Sequence, residues 1–130
     1  MRYLLDTDTV SFALRHAGSV GEEIRARKPS ELGVSSITVA ELRYGASKRG
    51  SKRLHTIIDT FLAEVEELAF DHRAAAHYGE LAVDLEARGL PIGMPDTMIA
   101  GHALALGLVL VTHNTRHFSR IPGLEITDWT

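Results

Sequence analysis

The hydrophobic and polar positions of this chain change their period several times, which divides it into short alternating strands and helices. Apolar runs bounded by turn residues predict buried strands at residues 2–6, 32–36, 67–70, 108–112 and 124–129. Helical patterns of apolar residues follow at residues 8–16, 19–27, 38–48, 54–65, 72–88 and 96–106. Strands that alternate with helices predict a parallel sheet covered by helices on both of its faces.

Local signals sharpen several of these elements. Residues 96–106 are apolar nearly all round, which predicts a central buried helix. The β-branched run LVLVT at 108–112 is typical of a parallel strand covered on both faces. Ser19 is a candidate N-cap of the second helix, and Gly89 is expected to end the helix at 72–88.

Length and composition limit the class of protein. A chain of 130 residues predicts a single domain over residues 1–130, and the lack of cysteine excludes disulfides and thiolate zinc sites. The net charge of −3 is not that of a general nucleic-acid binder, so any nucleic-acid contact needs a local patch or a cation. No segment predicts a membrane span or a secretory signal, and a cytoplasmic location is therefore expected.

Four polar side chains follow predicted strands or begin predicted helices at the same edge of the sheet. Asp6 ends the first apolar strand directly, and a buried charge at such a place needs a partner. Glu41 follows the second strand, Asp96 opens the buried helix, and Asn114 follows LVLVT. Ligands of parallel α/β sheets bind at the carboxyl ends of the strands, so we expect these side chains to converge.

Taken singly, each of these residues also has a structural interpretation. Thr38 and Glu41 fit a capping box, in which Glu41 would only satisfy backbone donors. Asp96 could be an N-cap or a helix-dipole partner, Asp8 could cap the first helix, and Asn114 could be a plain turn residue. The joint pattern favours a site over these separate explanations.

Three carboxylates at one sheet edge would repel one another and raise one another's pKa. A divalent cation among them removes this conflict, and a ligand set of oxygen atoms suits Mg²⁺ or Mn²⁺. A hydrated cation held by few carboxylates is well suited to hydrolysing phosphodiester bonds. The pattern therefore indicates a metal-dependent phosphodiesterase.

Five segments of the chain are distinctive: LLDTD, SSITVAELRYGA, GMPDTMIAGHALALGL, LVTHNTRHF and ITDW. Together they resemble the PIN domain, and more narrowly the VapC-type toxin ribonucleases of bacterial toxin–antitoxin pairs. The resemblance covers nearly the whole chain, in the expected order. It implies a three-layer α/β/α sandwich with a parallel central sheet of four to five strands. It also implies a Mg²⁺- or Mn²⁺-dependent endoribonuclease that cuts RNA, forms a homodimer and is inhibited by a cognate VapB-type antitoxin.

The resemblance assigns roles to individual residues. Asp6, Glu41 and Asp96 match the metal-binding acids of the family. Asn114 falls on the fourth catalytic position, which is often aspartate, and it is expected to hold a metal-bound water or a substrate phosphate. Thr7, Asp8 and Thr112 are expected to support these residues.

Two other enzyme classes and one binding function remain as alternatives. LLDTDT also resembles the start of haloacid-dehalogenase-type phosphatases, with Asp6 as nucleophile and Asp8 as acid/base, but the required lysine and second acidic pair are missing. A receiver domain would need a phosphoacceptor at a middle strand, which is also missing. A non-catalytic module whose acidic pocket docks a basic partner is the third alternative.

The seven histidines raise the question of zinc. His113 and His117 have the i,i+4 spacing of helical zinc sites, but they follow a strand and lack a third ligand. We expect His117 to form local contacts. His102 lies on the predicted buried helix, where a hydrogen-bonded core histidine is expected.

Basic residues cluster at the junction of two predicted helices, as Lys48, Arg49, Lys52 and Arg53. This cluster is either a solvated helix–helix turn or a patch that contacts RNA phosphates. No aromatic residue is interleaved with it, so the cluster itself gives no support for base stacking.

Overall fold

The computed structural model describes all 130 residues and is built on a five-stranded parallel sheet with the strand order β3-β2-β1-β4-β5. The strands are β1 (Tyr3–Leu5), β2 (Leu32–Ser35), β3 (Glu66–Leu68), β4 (Val109–Val111) and β5 (Ile126–Thr127). Each lies within a predicted apolar run or overlaps one. The prediction of a parallel sheet of four to five strands is confirmed.

Seven helices connect or flank the strands: α1 (Thr7–Leu14), α2 (Val20–Arg25), α3 (Ser36–Arg49), α4 (Lys52–Leu62), α5 (His72–Ala87), α6 (Met94–Leu106) and α7 (Thr115–Phe118). A 3-10 turn at Pro29–Glu31 and the short helix α7 were not predicted from the periodicity. Neither is long enough to establish an apolar period. None of the helices has the length and apolarity needed to cross a membrane.

Alternate residues of the central strands point to opposite faces of the sheet and form two separate cores. Leu5, Val34 and Val111 pack in one core, which α1, α2, α3 and α4 cover. Leu4 and Leu110 pack in the other, against α5 and α6. The two cores confirm the three-layer α/β/α arrangement, because each face of the sheet is buried by helices.

The helix α6 is placed by close packing against α5. A Cβ atom on Gly101 would lie 2.9 Å from the backbone nitrogen of Tyr78, so only glycine allows this approach of the two helices. Ile99, Ala100 and Ala103 are fully buried on the same helix. The predicted central position of α6 is confirmed, and it fixes the place of Asp96 at the helix start.

Several helix boundaries differ from the predicted ones, among them the start of α6. The helix α6 begins at Met94, two residues before the predicted start, after Gly93 with a φ of 94° that favours glycine. Ser19 does precede α2, but its hydroxyl does not cap the helix; it donates to the carbonyl oxygen of Trp129 at 2.7 Å. Gly89, with a φ of 68°, follows the end of α5 as predicted.

Candidate functional site

The strand order reverses at β1, because β2 pairs on one side of it and β4 on the other. Asp6 follows β1, and Thr112 follows β4. The backbone N–H of Asp6 donates to the carbonyl oxygen of Val111 at 3.0 Å, which joins the two strand ends. The candidate site therefore lies where ligands of parallel α/β sheets bind.

Asp6 is 3% exposed, and it is the N-cap of α1. One of its carboxylate oxygens, Oδ1, accepts the backbone N–H of Thr9 at 2.8 Å. Burial raises the pKa of Asp6, while hydrogen bonds from the Thr112 hydroxyl and from Thr9 oppose that rise. The prediction that Asp8 caps this helix is wrong; Asp8 is an exposed residue of the first turn.

Glu41 is held by threonine hydroxyls from two helices. The Thr7 hydroxyl donates to Glu41 Oε1 at 2.6 Å, and it lies 3.1 Å from the hydroxyl of Thr38. Since Thr7 has one hydroxyl proton and gives it to the carboxylate, the Thr38 hydroxyl must donate to Thr7. This chain of hydroxyls fixes one oxygen of Glu41 and leaves Oε2 without a protein partner.

The capping-box interpretation of Thr38 and Glu41 is wrong. The helix α3 begins two residues earlier, and its N-cap is Ser35, whose hydroxyl accepts the backbone N–H of Ile37 at 3.1 Å. Glu41 lies in the second turn of the helix, too far along it to satisfy the first backbone donors. Its carboxylate is therefore available for another purpose.

Asp96 lies in the first turn of α6, where the negative charges of the other acids repel its own. Its pKa is raised to about 6, first by burial and then by the negative charges of Asp6, Glu41 and Asp8. The N-cap interpretation of Asp96 is wrong, since α6 begins at Met94 after Gly93. Three elements of the chain thus bring their carboxylates within electrostatic range of one another, as the sequence pattern predicts.

Asn114 is joined to this cluster only through Thr112. Its backbone N–H donates to the Thr112 hydroxyl at 2.9 Å, and Thr112 in turn opposes the rise in the pKa of Asp6. The side-chain nitrogen of Asn114 lies 2.8 Å from Nδ1 of His117. The amide is therefore held by His117 rather than by the carboxylates.

The donor set fits a hydrated divalent cation better than a directly enclosed one. No three acidic or histidine side chains converge closely enough to hold a metal ion among themselves. Bare carboxylates repel, and Mg²⁺ typically keeps several waters and uses only one or two carboxylates. None of the ion pairs in the structure includes Asp6, Glu41 or Asp96, so these acids have no cationic partner within this chain.

The histidines outside the acidic cluster do not converge on a zinc site. Nδ1 of His113 lies 3.2 Å from an Asp128 carboxylate oxygen and 2.9 Å from the Thr130 hydroxyl. His117 contacts Asn114, as its expected local role requires. His113 and His117 contact different partners, and no three acidic or histidine side chains converge on one point, so the structure gives the zinc alternative no support.

His102 is a satisfied core histidine, as predicted. It is 1% exposed, its Nδ1 lies 2.9 Å from the Ser35 hydroxyl, and its ring meets the edge of Phe70. Burial lowers the pKa of His102, so the ring is neutral near pH 7. Sequence patterns did not pair Ser35 with His102, because the two residues are 67 positions apart.

The basic cluster lies at the tight turn between α3 and α4, where Gly50 takes a φ of 61°. Its four side chains are exposed. Only Arg49 also borders a cavity that reaches Glu41. The sequence could not show that Arg49 alone of these four residues borders the cavity, because the cavity forms only where α1 packs beside α3.

Comparison with known proteins adds to this geometry. The model of the PIN domain family matches residues 3–124. The tRNA(fMet)-specific endonuclease VapC of Salmonella typhimurium is 41% identical over 133 residues, covering 99% of this chain and 98% of that protein. Ribonuclease VapC2 of Rickettsia felis is 39% identical over 132 residues, with the same coverage.

Solved structures agree with the sequence comparison. DNA-bound VapBC from Salmonella typhimurium contains a chain with a TM-score of 0.94 and 39% identity, covering 100% of this chain and 99% of that one. VapBC2 from Rickettsia felis, bound to a DNA fragment from its promoter, gives a TM-score of 0.91 and 37% identity, with both chains fully covered.

Proposed function

This chain belongs to the PIN domain family, among the VapC-type ribonucleases, and from that premise we propose that it is the endoribonuclease toxin of a toxin–antitoxin pair. We further propose that residues 1–130 act as one PIN domain in the cytoplasm. The observation that carries the proposal is the set of Asp6, Glu41 and Asp96 at the switch point of the sheet. The phosphatase and receiver alternatives are set aside, since family membership excludes both.

The metal assignment follows from the chemistry of the acids. PIN-domain nucleases generally depend on divalent metal, and Asp6, Glu41 and Asp96 are the residues that would hold Mg²⁺ or Mn²⁺ or its waters. When bound, such a cation supplies a water of lowered pKa and offsets the charge of the phosphate. Because Asp96 has a pKa of about 6, cation binding below that pH must displace its proton.

The chain's own residues orient this site. Asp6 is fixed by the backbone N–H of Thr9, and Glu41 is fixed by the Thr7 hydroxyl. Hydrolysis joins a water oxygen to phosphorus and breaks the bond to a sugar oxygen, so water and phosphate must be aligned. Fixed carboxylates perform that alignment without reorganising during the reaction. Asp8 adds negative charge, and Asn114 is a neutral donor for a phosphate oxygen if it leaves His117.

The acidic site also suggests how a VapB-type antitoxin inhibits this chain. The relatives named above were solved as VapBC complexes, and we propose a corresponding partner here. Its arginine or lysine side chain would neutralise the Asp6–Glu41–Asp96 cluster and compete with the cation. Neutral variants of Asp6 or Asp96 should then bind antitoxin more weakly, and high Mg²⁺ should weaken inhibition of the wild type. The homodimer implied by the resemblance stays a prediction.

Cleavage of RNA by the purified chain tests the proposal. Total cellular RNA and tRNA(fMet), the substrate named for two relatives at 41% and 36% identity, are incubated with Mg²⁺, Mn²⁺ or EDTA, and the cut ends are mapped. Asp96→Asn should lose cleavage, while Glu80→Gln, an exposed acid on α5, should retain it. Cleavage that persists in EDTA or in Asp96→Asn contradicts the metal site. A chain that binds RNA or antitoxin without cutting supports the non-catalytic alternative.

A further inference from the structure

Two cavities meet at Glu41, and they differ in chemistry. The first, of about 210 Å³, lies among α1, α3 and α4; we name it the cationic cavity, lined by Thr7, Arg15, Glu41 and Arg49. The second, of about 310 Å³, lies between α3 and the start of α6; we name it the apolar cavity, lined by Ile37, Glu41, Tyr44, Met94 and Met98. Glu41 is the one residue that lines both cavities, and neither has another carboxylate.

The cationic cavity is bordered by two exposed guanidinium groups beside Glu41. Neither Arg15 nor Arg49 takes part in an ion pair, and the Arg15 guanidinium carbon lies 5.2 Å from the centroid of the Phe12 ring. Unpaired arginines at the border of a concave surface suit phosphate oxygens, which they bind through charge-assisted bonds. A phosphodiester that flanks the scissile bond meets this requirement.

The apolar cavity offers an aromatic platform on the other side of Glu41. Tyr44 is 67% exposed and lies one helical turn after Glu41, while Met94 is 60% exposed and lies two residues before Asp96. Exposed aromatic and methionine side chains beside a reactive site suit a flat apolar ligand. An unstacked nucleobase is such a ligand, and single-stranded RNA is read through bases stacked on aromatic rings.

An apolar protein surface is a poorer occupant of this cavity. Covering it with such a surface would bury Glu41, whose Oε2 has no partner in this chain, away from water. A nucleotide places its base on Tyr44 and leaves Glu41 facing the scissile phosphate and its cation. The charge pattern across Glu41 therefore matches RNA, with apolar base on one side and anionic backbone on the other.

This inference rests on the proposed ribonuclease function: we propose that the RNA substrate occupies both cavities, one on each side of Glu41. One unstacked base beside the scissile bond lies on Tyr44 in the apolar cavity, and the adjoining backbone phosphate binds Arg15 and Arg49 in the cationic cavity.

The test of the apolar cavity combines protein and substrate changes. The probe is a fluorescent, quenched oligoribonucleotide that spans the cleavage site mapped for the wild type, with a series carrying one abasic residue at each position. Tyr44→Ala should lower kcat/KM by about 5- to 150-fold, the range that a lost base–aromatic stack gives, while Tyr44→Phe keeps the ring and rescues activity. Val83→Ala, at an exposed apolar residue of α5, is the matched control.

The abasic series distinguishes stacking from a general structural effect. One abasic position next to the cut should lower wild-type cleavage by a similar factor, and it should not lower cleavage by Tyr44→Ala any further. If the two losses multiply, the base does not lie on Tyr44. If Tyr44→Ala instead changes the sedimentation mass and leaves cleavage intact, the face binds a second copy of the chain and the proposal is overturned.

The test of the cationic cavity uses ionic strength. Arg15→Gln and Arg49→Gln should raise KM with little change in kcat, and each should reduce the salt dependence of log KM by about 0.7. Arg53→Gln, an exposed arginine of the same turn that does not line the cavity, is the control. Equal effects of all three variants would overturn the assignment.

Failure of this inference is distinguishable from failure of the proposed function. If the wild type and Glu80→Gln cut no RNA with Mn²⁺, the ribonuclease proposal fails. If the wild type cuts, Asp96→Asn does not, and Tyr44→Ala behaves as the wild type, only the two-cavity inference fails.

Discussion

The helices α3 and α6 meet at two places, and the polar contacts there are opposite in kind. At one end Ser35 and His102 form a buried hydrogen bond of 2.9 Å. At the other end Glu41 and Asp96 carry like charges that raise the pKa of Asp96. Ser35 precedes Glu41 by six residues, and Asp96 precedes His102 by six, so the helices run in opposite directions past each other.

The comparison separates a stabilising contact from a functional one. The histidine end is satisfied, neutral and buried, which is what a fixed framework requires. The acidic end has unpaired charge that destabilises the chain alone and becomes favourable only with a cation or a basic partner. Conflicts of this kind are expected at functional sites, while the surrounding structure holds them in place.

The largest expected effect comes from removing charge at the acidic end. Changes to residues that merely support a metal site typically lower activity about 10- to 100-fold, and Asp96→Asn should exceed that range. Calorimetry with Mn²⁺ should show weaker binding in parallel with lost cleavage. Glu80→Gln controls for general charge effects, and unchanged Mn²⁺ binding in Asp96→Asn would remove this residue from the site.

Breaking the histidine end should lower stability. His102→Leu removes one of the two partners of the buried Ser35 hydroxyl and should lower the free energy of unfolding by about 1–3 kcal/mol. His102→Asn places an amide near the position of Nδ1 and should recover part of the loss. Urea denaturation measures both, with Phe70→Leu as a control that alters ring packing but keeps the hydrogen bond. Equal losses in the Leu and Asn variants would show that the bond contributes little.

The two ends should respond to acid in opposite directions. Asp96 has a folded pKa of about 6, above its usual 3.8. Without metal, the ionised Asp96 therefore destabilises the folded chain, and stability rises as the pH falls through 6 towards 4 because the folded chain gains the proton first. The pKa of His102 is lowered, so stability is lost as the pH falls below the usual histidine value of 6.5, where the unfolded chain gains the proton first.

Urea denaturation in EDTA between pH 4.5 and 7.5 separates these contributions. Asp96→Asn should be more stable than the wild type at pH 7 by about 1–2 kcal/mol, less than the full pKa shift implies because solvent screens this half-buried carboxylate, and the advantage should shrink as the pH falls. His102→Asn should lose less stability in acid than the wild type. An advantage of Asp96→Asn that does not change with pH would contradict the raised pKa.

The smallest expected effect on stability is that of Glu41→Gln. Its amide oxygen can still accept the Thr7 hydroxyl, and the residue does not cap the helix, so stability should change by about 0.5 kcal/mol or less. Cleavage should nevertheless be lost, since the negative charge is removed. Thermal denaturation checks the unchanged stability, and the RNA assay checks the loss of cleavage. Full activity of Glu41→Gln would show that Glu41 is not part of the metal site.

Much of the fold could be predicted from the chain because local and global signals agree. The apolar run at 2–6 predicts a buried strand, the run at 108–112 is typical of a strand covered on both faces, and the apolar α6 predicts a central helix; the structure has all three. Once the sheet is parallel, the carboxyl ends of β1 and β2 share an edge, and the start of α6 lies at that edge because α6 leads back to the beginning of β4. This arrangement brings Asp6, Glu41 and Asp96 together. The resemblance to PIN domains added the cation, the RNA and the antitoxin.

The sequence by itself determined which residues carry charge and on which elements they lie, because polarity and periodicity are local properties. Only the tertiary structure decided their partners: Asp6 rather than Asp8 caps α1, the Thr7 hydroxyl crosses to Glu41, and Ser35 meets His102 across 67 positions. These contacts depend on the angle and depth at which helices pack on the sheet. That packing is set by many distant side chains at once, including the absent Cβ of Gly101, so no short stretch of sequence specifies it.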